Sequence, residues 1–207
     1  MRLRYKGVCK DMTKLPVGNL PENAVKFVEP ESQQALEKAS YLFMIPPMLI
    51  IGLALLVGFL LHRGINLTLD FSNYWWIILV IIPLYLAAMF VHEFLHAVCF
   101  GRDSEVDLYI MSSFFFVHSV TPISKNRFIF MSLLPNIVLG LIPLLIWIFV
   151  PMSLAVGTIL FAFSAIMLLS GGGDYLNTFN ALRQMPKGSY QQLSGMNSFW
   201  FIPNSID

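Results

Sequence analysis

Four long apolar stretches alternate with polar segments along the chain. They cover about residues 41–61, 73–100, 128–150 and 152–170, and each reaches or approaches the ~20 residues that a helix needs to cross a bilayer. The pattern predicts an all-α membrane protein with about four transmembrane helices. Residues 1–40 are polar and broken by prolines, so we expect no signal peptide there and a cytosolic N-terminal segment.

The polar segment after the second apolar stretch has a different pattern. Polar and apolar residues alternate from Glu105 to Ile110, and residues 114–120 are aromatic and β-branched. Such patterns are typical of strands, so we predict a small β-hairpin-like insert within 103–125 that lies against the membrane. The chain then divides into a cytosolic segment (1–40), a four-span membrane domain containing the insert (41–177) and a cytosolic tail (178–207).

Composition and charge support this interpretation. Hydrophobic residues make up 57% of the chain and charged residues 12%, about half the charged fraction of a soluble domain. All lysines and arginines except Arg63 lie in the two tails or in residues 102–127, which predicts that both termini face the cytoplasm of a cell membrane. No basic patch suggests nucleic acid, and we expect no disulfide between Cys9 in the polar tail and Cys99 in an apolar stretch.

The second apolar stretch contains the sequence H-E-F-L-H. In a helix, His92 and His96 lie on one face with about 6 Å between their Cβ atoms. Two neutral imidazoles at this spacing can bind Zn²⁺, and Glu93 can take a proton from a metal-bound water. No Lys, Arg or Asp occurs in residues 71–101 to balance Glu93. Ionisable residues at membrane depth are costly, which favours a functional site over satisfied core groups or a chance match.

A catalytic zinc commonly has three protein ligands and leaves one position for water. With both termini inside, the second and fourth stretches run in the same direction, so Asp174 lies at a depth similar to that of the histidines. We predict Asp174 as the third ligand. Alternatively, the preceding glycines end one helix and Asp174 only caps the next. The rival ligands are His118, which could instead face substrate, Glu105, Asp103 and Asp107.

Further polar residues accompany these candidates. Asn136 lies within the third stretch and could donate a hydrogen bond to an oxyanion or a substrate carbonyl, or simply hold helices together. Tyr175 and Asn177 could orient Asp174, or cap a helix. For Cys99, packing as a small core residue is favoured over contact with the site.

The order of these motifs resembles a known family. The chain has L-P-E-N-A-V-K in its polar tail, H-E-F-L-H at the end of the second span, a strand-like insert, P-N in the third span and G-G-D near the end of the fourth. Over residues 15–188 this resembles the zincin peptidase family of bacterial membrane proteins, defined as a domain of unknown function. It is also similar, more distantly, to site-2-type intramembrane metalloproteases, although Asp174 is preceded rather than followed by glycine. The resemblance implies zinc ligands at His92, His96 and Asp174, and a base at Glu93.

These observations predict a membrane-embedded zinc metalloprotease with its active site near the cytoplasmic side of a bacterial cell membrane. Its expected partners are the lipid bilayer and a membrane-protein or peptide substrate, which the insert could bind by strand addition. One alternative is a non-catalytic regulatory protein with a structural or degenerate metal site, in which His118 could be a fourth ligand. Another is a small transporter subunit that uses Glu93 as a proton relay.

Overall fold

The structure is a computed structural model that describes residues 1–30, 33–61, 75–111 and 114–203. The predicted loop between the first two apolar stretches lies outside these ranges. Helices dominate the described part. They are α1 (Gln33–Leu42), α2 (Ile45–Leu60), α3 (Trp76–Val98), α4 (Lys125–Pro135), α5 (Ile142–Phe149), α6 (Leu154–Ser170) and α7 (Gly172–Gln184).

Within the described ranges, three helical segments are long and apolar enough to cross a membrane. They are Lys38–Leu60, Trp76–Val98 and Lys125–Phe149. A fourth crossing exists only if α6 and α7, which are bent by 46° at Gly171, are counted as one span. The structure therefore confirms a mostly helical protein with membrane-type helices, while the predicted count of four spans is not confirmed.

The third apolar stretch is continuous but not a regular α-helix. Helices α4 and α5 are joined by a wider π-helical segment, Asn136–Leu141, that directly follows Pro135. Such widened turns occur where the regular hydrogen-bond ladder is interrupted, as proline interrupts it. At Gly140 this segment packs closely on α6, because an added Cβ would lie 2.7 Å from Cδ2 of Leu168. The close approach brings Asn136 and the end of α6 into one packed region.

Two β-sheets accompany the helices. The first has the order β1–β3–β4, formed by Arg2–Val8, Glu105–Met111 and Phe114–His118, with β1 parallel to β3 and β4 antiparallel to it. The second has the order β2–β7–β6–β5, formed by Val25–Lys26, Asn197–Phe201, Tyr190–Ser194 and Ile123–Ser124. The predicted hairpin corresponds to β3 and β4. The all-α description is not confirmed, because both terminal segments also contribute strands.

Strand β1 is held in its sheet by long-range pairing. Arg4 in β1 bonds Asp107 through Nε at 2.7 Å and Glu105 through Nη1 at 2.6 Å, so the first strand is held by charges about 100 residues away. The β6–β7 hairpin turns at Gly195, whose φ of 58° lies in the left-handed region that glycine adopts freely.

A hydrophobic core fixes the end of α3 that carries the H-E-F-L-H motif. Its buried side chains come from α3, α4, α7 and the strands of both sheets. They are Phe27, Ala97, Phe100, Val106, Ile123, Phe128, Ala181 and Met185. The motif helix therefore ends in a packed region where both sheets and the helices α4 and α7 meet.

Candidate metal centre

Helix α3 places both histidines of the motif on one buried face. His92 and His96 are 5% and 8% exposed, and their Nε2 atoms lie 3.1 Å apart. The ring planes are nearly perpendicular, with an angle of 82° between them. As predicted, the four-residue spacing brings one ring nitrogen of each histidine to the same point.

The orientation of the His96 ring is set from the third apolar stretch. Its Nδ1 lies 2.9 Å from the backbone carbonyl oxygen of Met131 in α4. Since a carbonyl oxygen only accepts hydrogen bonds, Nδ1 carries a proton, and in the neutral ring Nε2 then keeps a free lone pair. This is the tautomer that a metal ligand needs, and backbone carbonyls commonly fix it.

Asp174 reaches the same point from α7. Its Oδ2 lies 3.2 Å from Nε2 of His92, and its Oδ1 lies 3.2 Å from Nε2 of His96. The ligand atoms of the three residues all lie within 4.8 Å of one another. The structure therefore brings together the three residues predicted as ligands, although metal binding by them stays a prediction.

The arrangement fits a zinc ion. Ligand atoms around tetrahedral zinc are separated by about 3.3 Å when the metal–ligand distances are ~2.0–2.1 Å, close to the 3.1–3.2 Å separations at this site. A cation between Nε2 of His96 and the facing carboxylate oxygen of Asp174 would contact both atoms. Two imidazoles and one carboxylate are a donor set that catalytic zinc uses.

Glu93 lies between the two histidines in the chain and is 8% exposed. Its Oε2 accepts a hydrogen bond of 3.1 Å from the backbone N–H of Val117 in β4. One turn earlier on α3, the ring of Phe90 contacts that of Phe115 at 5.9 Å between centroids. The strand β4 therefore runs directly beside the motif helix. Sequence reasoning missed the Val117 contact, because a backbone N–H has no side-chain signature.

Asn136 also reaches the site. Its Nδ2 donates a hydrogen bond of 2.8 Å to Oδ2 of Asp174, and its Oδ1 accepts one of 3.1 Å from the hydroxyl of Tyr175. A role for Asn136 at a substrate oxyanion stays a prediction. Among the described residues, the amide that holds Asp174 is that of Asn136 and not that of Asn177.

The rival ligands lie in other surroundings. His118 is buried in β4, where its Nε2 donates to the carbonyl oxygen of Gly195 at 3.0 Å, and it does not belong to the three-residue group. Burial lowers the pKa of His118 below its usual value. Glu105 and Asp107 pair with the guanidinium of Arg4, and Asp103 lies exposed in the turn before β3. A role for His118 as a substrate contact stays a prediction.

An H-E-x-x-H helix whose imidazoles meet a carboxylate from a second helix, among helices apolar enough to cross a membrane, is an arrangement typical of a zincin-like metal centre. A family model described as "Putative zincin peptidase" matches residues 85–190, half of the chain, and the protein belongs to that family. The matched segment contains the H-E-F-L-H motif, the β3–β4 hairpin, Asn136 and Asp174. Searches of curated proteins and of solved structures gave no match. The more distant similarity to site-2-type proteases is not shown.

Proposed function

We propose that the protein is a membrane-embedded zinc metalloprotease that hydrolyses peptide bonds of membrane or membrane-proximal proteins. The observation that carries this proposal is the convergence of His92, His96 and Asp174 beside Glu93. Membership of the zincin peptidase family supports a peptidase in general terms. The three apolar helices support the membrane setting.

Different residues of the chain would hold the ion and transfer the proton. Nε2 of His92, Nε2 of His96 and the carboxylate of Asp174 would hold the ion, and Met131 keeps the His96 ring in the metal-binding tautomer. Zinc in a three-ligand site acts as a Lewis acid and lowers the pKa of a bound water to about 7. Glu93 accepts a proton on its carboxylate and later delivers it to the nitrogen of the leaving amine.

Strand β4 offers a binding edge for an extended substrate. The N–H of Val117 points to Glu93 and therefore away from β3, and by the alternation of an antiparallel ladder Phe115 directs its backbone groups the same way. A peptide added to this edge would lie next to Glu93. Because a helical substrate must unwind before its peptide bonds are cut, a strand edge at this place suits a protease.

The topology belongs to the same proposal. The lysine and arginine distribution favours four spans with both termini in the cytoplasm of a bacterial cell membrane, and α6 with α7 then form one bent fourth span. Asp174 lies at this bend, and the motif lies near the C-terminal end of α3. With this topology, both features support an active site near the cytoplasmic side.

A structural metal site would normally have four protein ligands. The group formed by the described residues has three, and His118 is not one of them. The donor set thus favours a catalytic site over the regulatory alternative.

The test compares membrane proteomes of source cells that contain the wild type or Glu93→Gln. Removing the base while keeping its shape should leave metal binding intact and abolish cleavage, so full-length substrates accumulate only with the variant. Cleavage of such a substrate at an equal rate by the purified wild type and Glu93→Gln would remove Glu93 as the base. Total zinc per purified chain should be equal in the two proteins.

A further inference from the structure

The carboxylate of Asp174 is held by a partner that is not a candidate ligand. Nδ2 of Asn136 donates to Oδ2 at 2.8 Å, the same oxygen that faces Nε2 of His92. This bond restricts rotation of the carboxylate about its Cβ–Cγ bond. One oxygen then faces each imidazole.

The amide of Asn136 can adopt only one of its two flips. Its Nδ2 faces two groups that only accept, the carboxylate of Asp174 and the carbonyl oxygen of Ser132 at 3.4 Å. Its Oδ1 faces the hydroxyl of Tyr175 at 3.1 Å. Since Asn136 is 3% exposed, a flipped amide would bury its oxygen against the carboxylate without a compensating bond.

Tyr175 ties this amide to the preceding helix. Its hydroxyl lies 3.0 Å from the carbonyl oxygen of Leu168 in α6 as well as near Oδ1 of Asn136. Both neighbours accept, so the single hydroxyl proton is shared between them. The hydroxyl therefore connects the amide to the last turn of α6, across the bend from Asp174.

Gly171 provides the space that the amide occupies. A Cβ at this position would lie 1.9 Å from Oδ1 of Asn136, far inside any real contact distance. The backbone is not the reason for glycine, because φ is −78°. Gly173 gives the contrast, since a Cβ there would meet nothing within 4 Å.

We propose that Tyr175 and Gly171 are positioning residues, which act through Asn136 to hold Asp174 in its metal-binding orientation. The hydroxyl orients the amide, the missing Cβ makes room for it, and the amide fixes the carboxylate. This proposal rests on the proposed function, in which Asp174 is a ligand. Outer partners of this kind typically change metal affinity by about 10–100-fold.

The test measures the affinity of the purified full chain for Zn²⁺ by competition with a chelator of known affinity. Tyr175→Phe, which removes only the hydroxyl, should weaken binding about tenfold, and Asn136→Ala about 10–100-fold. Tyr190→Phe is the matched control, because Tyr190 stacks on Phe201 in the other sheet and should leave the affinity unchanged. In Co²⁺-loaded protein, Tyr175→Phe should also shift the visible absorption bands, which report on ligand geometry.

A glycine pair gives an independent comparison. Gly171→Ala should weaken Zn²⁺ binding at least as much as Asn136→Ala, and Gly173→Ala should bind as the wild type does. Circular dichroism checks that each variant is folded. If Gly171→Ala does not fold, the Zn²⁺ affinity of Tyr175→Phe alone tests the proposal. Wild-type affinity and an unshifted Co²⁺ spectrum in Tyr175→Phe would overturn the inference alone. A wild type that binds no Zn²⁺ would overturn the proposed function as well.

Discussion

The backbone N–H of Val117 donates a 3.1 Å hydrogen bond to Oε2 of Glu93, and so joins the edge of a β-sheet to the proposed catalytic base. The strand that carries Val117 is paired on its other side with β3. A single contact thus joins the edge strand β4 to the helix that carries the proposed base and two of the proposed ligands.

Replacing Val117 by proline tests the role of this hydrogen bond. Val117→Pro removes the N–H that faces Glu93 but no bond to β3, and an edge strand tolerates proline with its nitrogen facing outward. A hydrogen bond to a charged group contributes roughly 1.5–3 kcal/mol, so we expect cleavage to fall about 10–100-fold with zinc content unchanged. Cleavage assays and metal analysis of the purified variant measure both.

Phe116→Pro is the comparison for this variant. By the same alternation its N–H faces β3, and its ring stacks on Tyr109 at 5.2 Å between centroids, so we expect a lower unfolding temperature. Equal cleavage in Val117→Pro and in the wild type would show that the hydrogen bond between Val117 and Glu93 does not serve the reaction.

The metal ligands can be separated from the rival histidine by stoichiometry. His92→Ala should lose the bound zinc, because it removes one of three ligand atoms. His118→Ala should retain about one zinc per chain, since its ring bonds to Gly195 and not to the site. Elemental analysis of the purified proteins gives the ratio directly, and zinc loss in both variants would argue for His118 as a ligand.

Acid should destabilise the protein through His118. Burial lowers its pKa in the folded state, an effect opposed by its bond to Gly195 and by the nearby Asp107, while the unfolded side chain titrates near ~6.5. Below about pH 6.5 the unfolded chain therefore binds a proton that the folded chain does not, and stability falls as pH falls. The buried Nδ1 of His118 also has no hydrogen-bond partner among the described residues that could accept the added proton.

We expect the unfolding temperature of the wild type to drop relative to that of His118→Gln between pH 7 and pH 5. Thermal unfolding in detergent at several pH values measures the difference between the two unfolding temperatures. The other titrating groups are the same in both proteins, so their effects cancel in this difference. Parallel curves for the two proteins would contradict this account.

The close packing of the third and fourth apolar stretches gives a stability prediction. Gly140→Ala places a Cβ 2.7 Å from the side chain of Leu168, and overpacking of this kind costs about 1–3 kcal/mol. Gly52→Ala in α2 meets nothing within 4 Å and should not destabilise the protein. Unfolding in denaturant compares the two, and equal stabilities would show that Leu168 moves aside without cost.

Local patterns in the sequence were enough to predict the helices and the motif. The apolar stretch around His92 is long and uninterrupted, so its helix follows from composition, and the four-residue spacing then fixes the facing of the two imidazoles. Asp174 was predicted as a ligand in a further step. The second and fourth apolar stretches run in the same direction, and counting residues along each puts Asp174 and the histidines at a similar depth in the membrane. That step needed only helix rise and the charge distribution.

Non-local contacts account for what could not be predicted. The pairing of β1 with β3 depends on Arg4 meeting Asp107, and nothing near Arg4 in the sequence shows this. The glycines before Asp174 look alike in sequence, yet only the structure separates Gly171, which accommodates Asn136, from Gly173, which faces open space. The contact between Val117 and Glu93 is made by the backbone N–H of Val117, so no residue type at position 117 would reveal it in the sequence.

The most direct measurement is zinc K-edge X-ray absorption of the purified, zinc-loaded protein. We expect scattering from two imidazole rings with Zn–N distances of ~2.0–2.1 Å together with oxygen ligands. A sulfur shell at about 2.3 Å, which would indicate a cysteine ligand, or the absence of stoichiometric zinc would contradict this expectation.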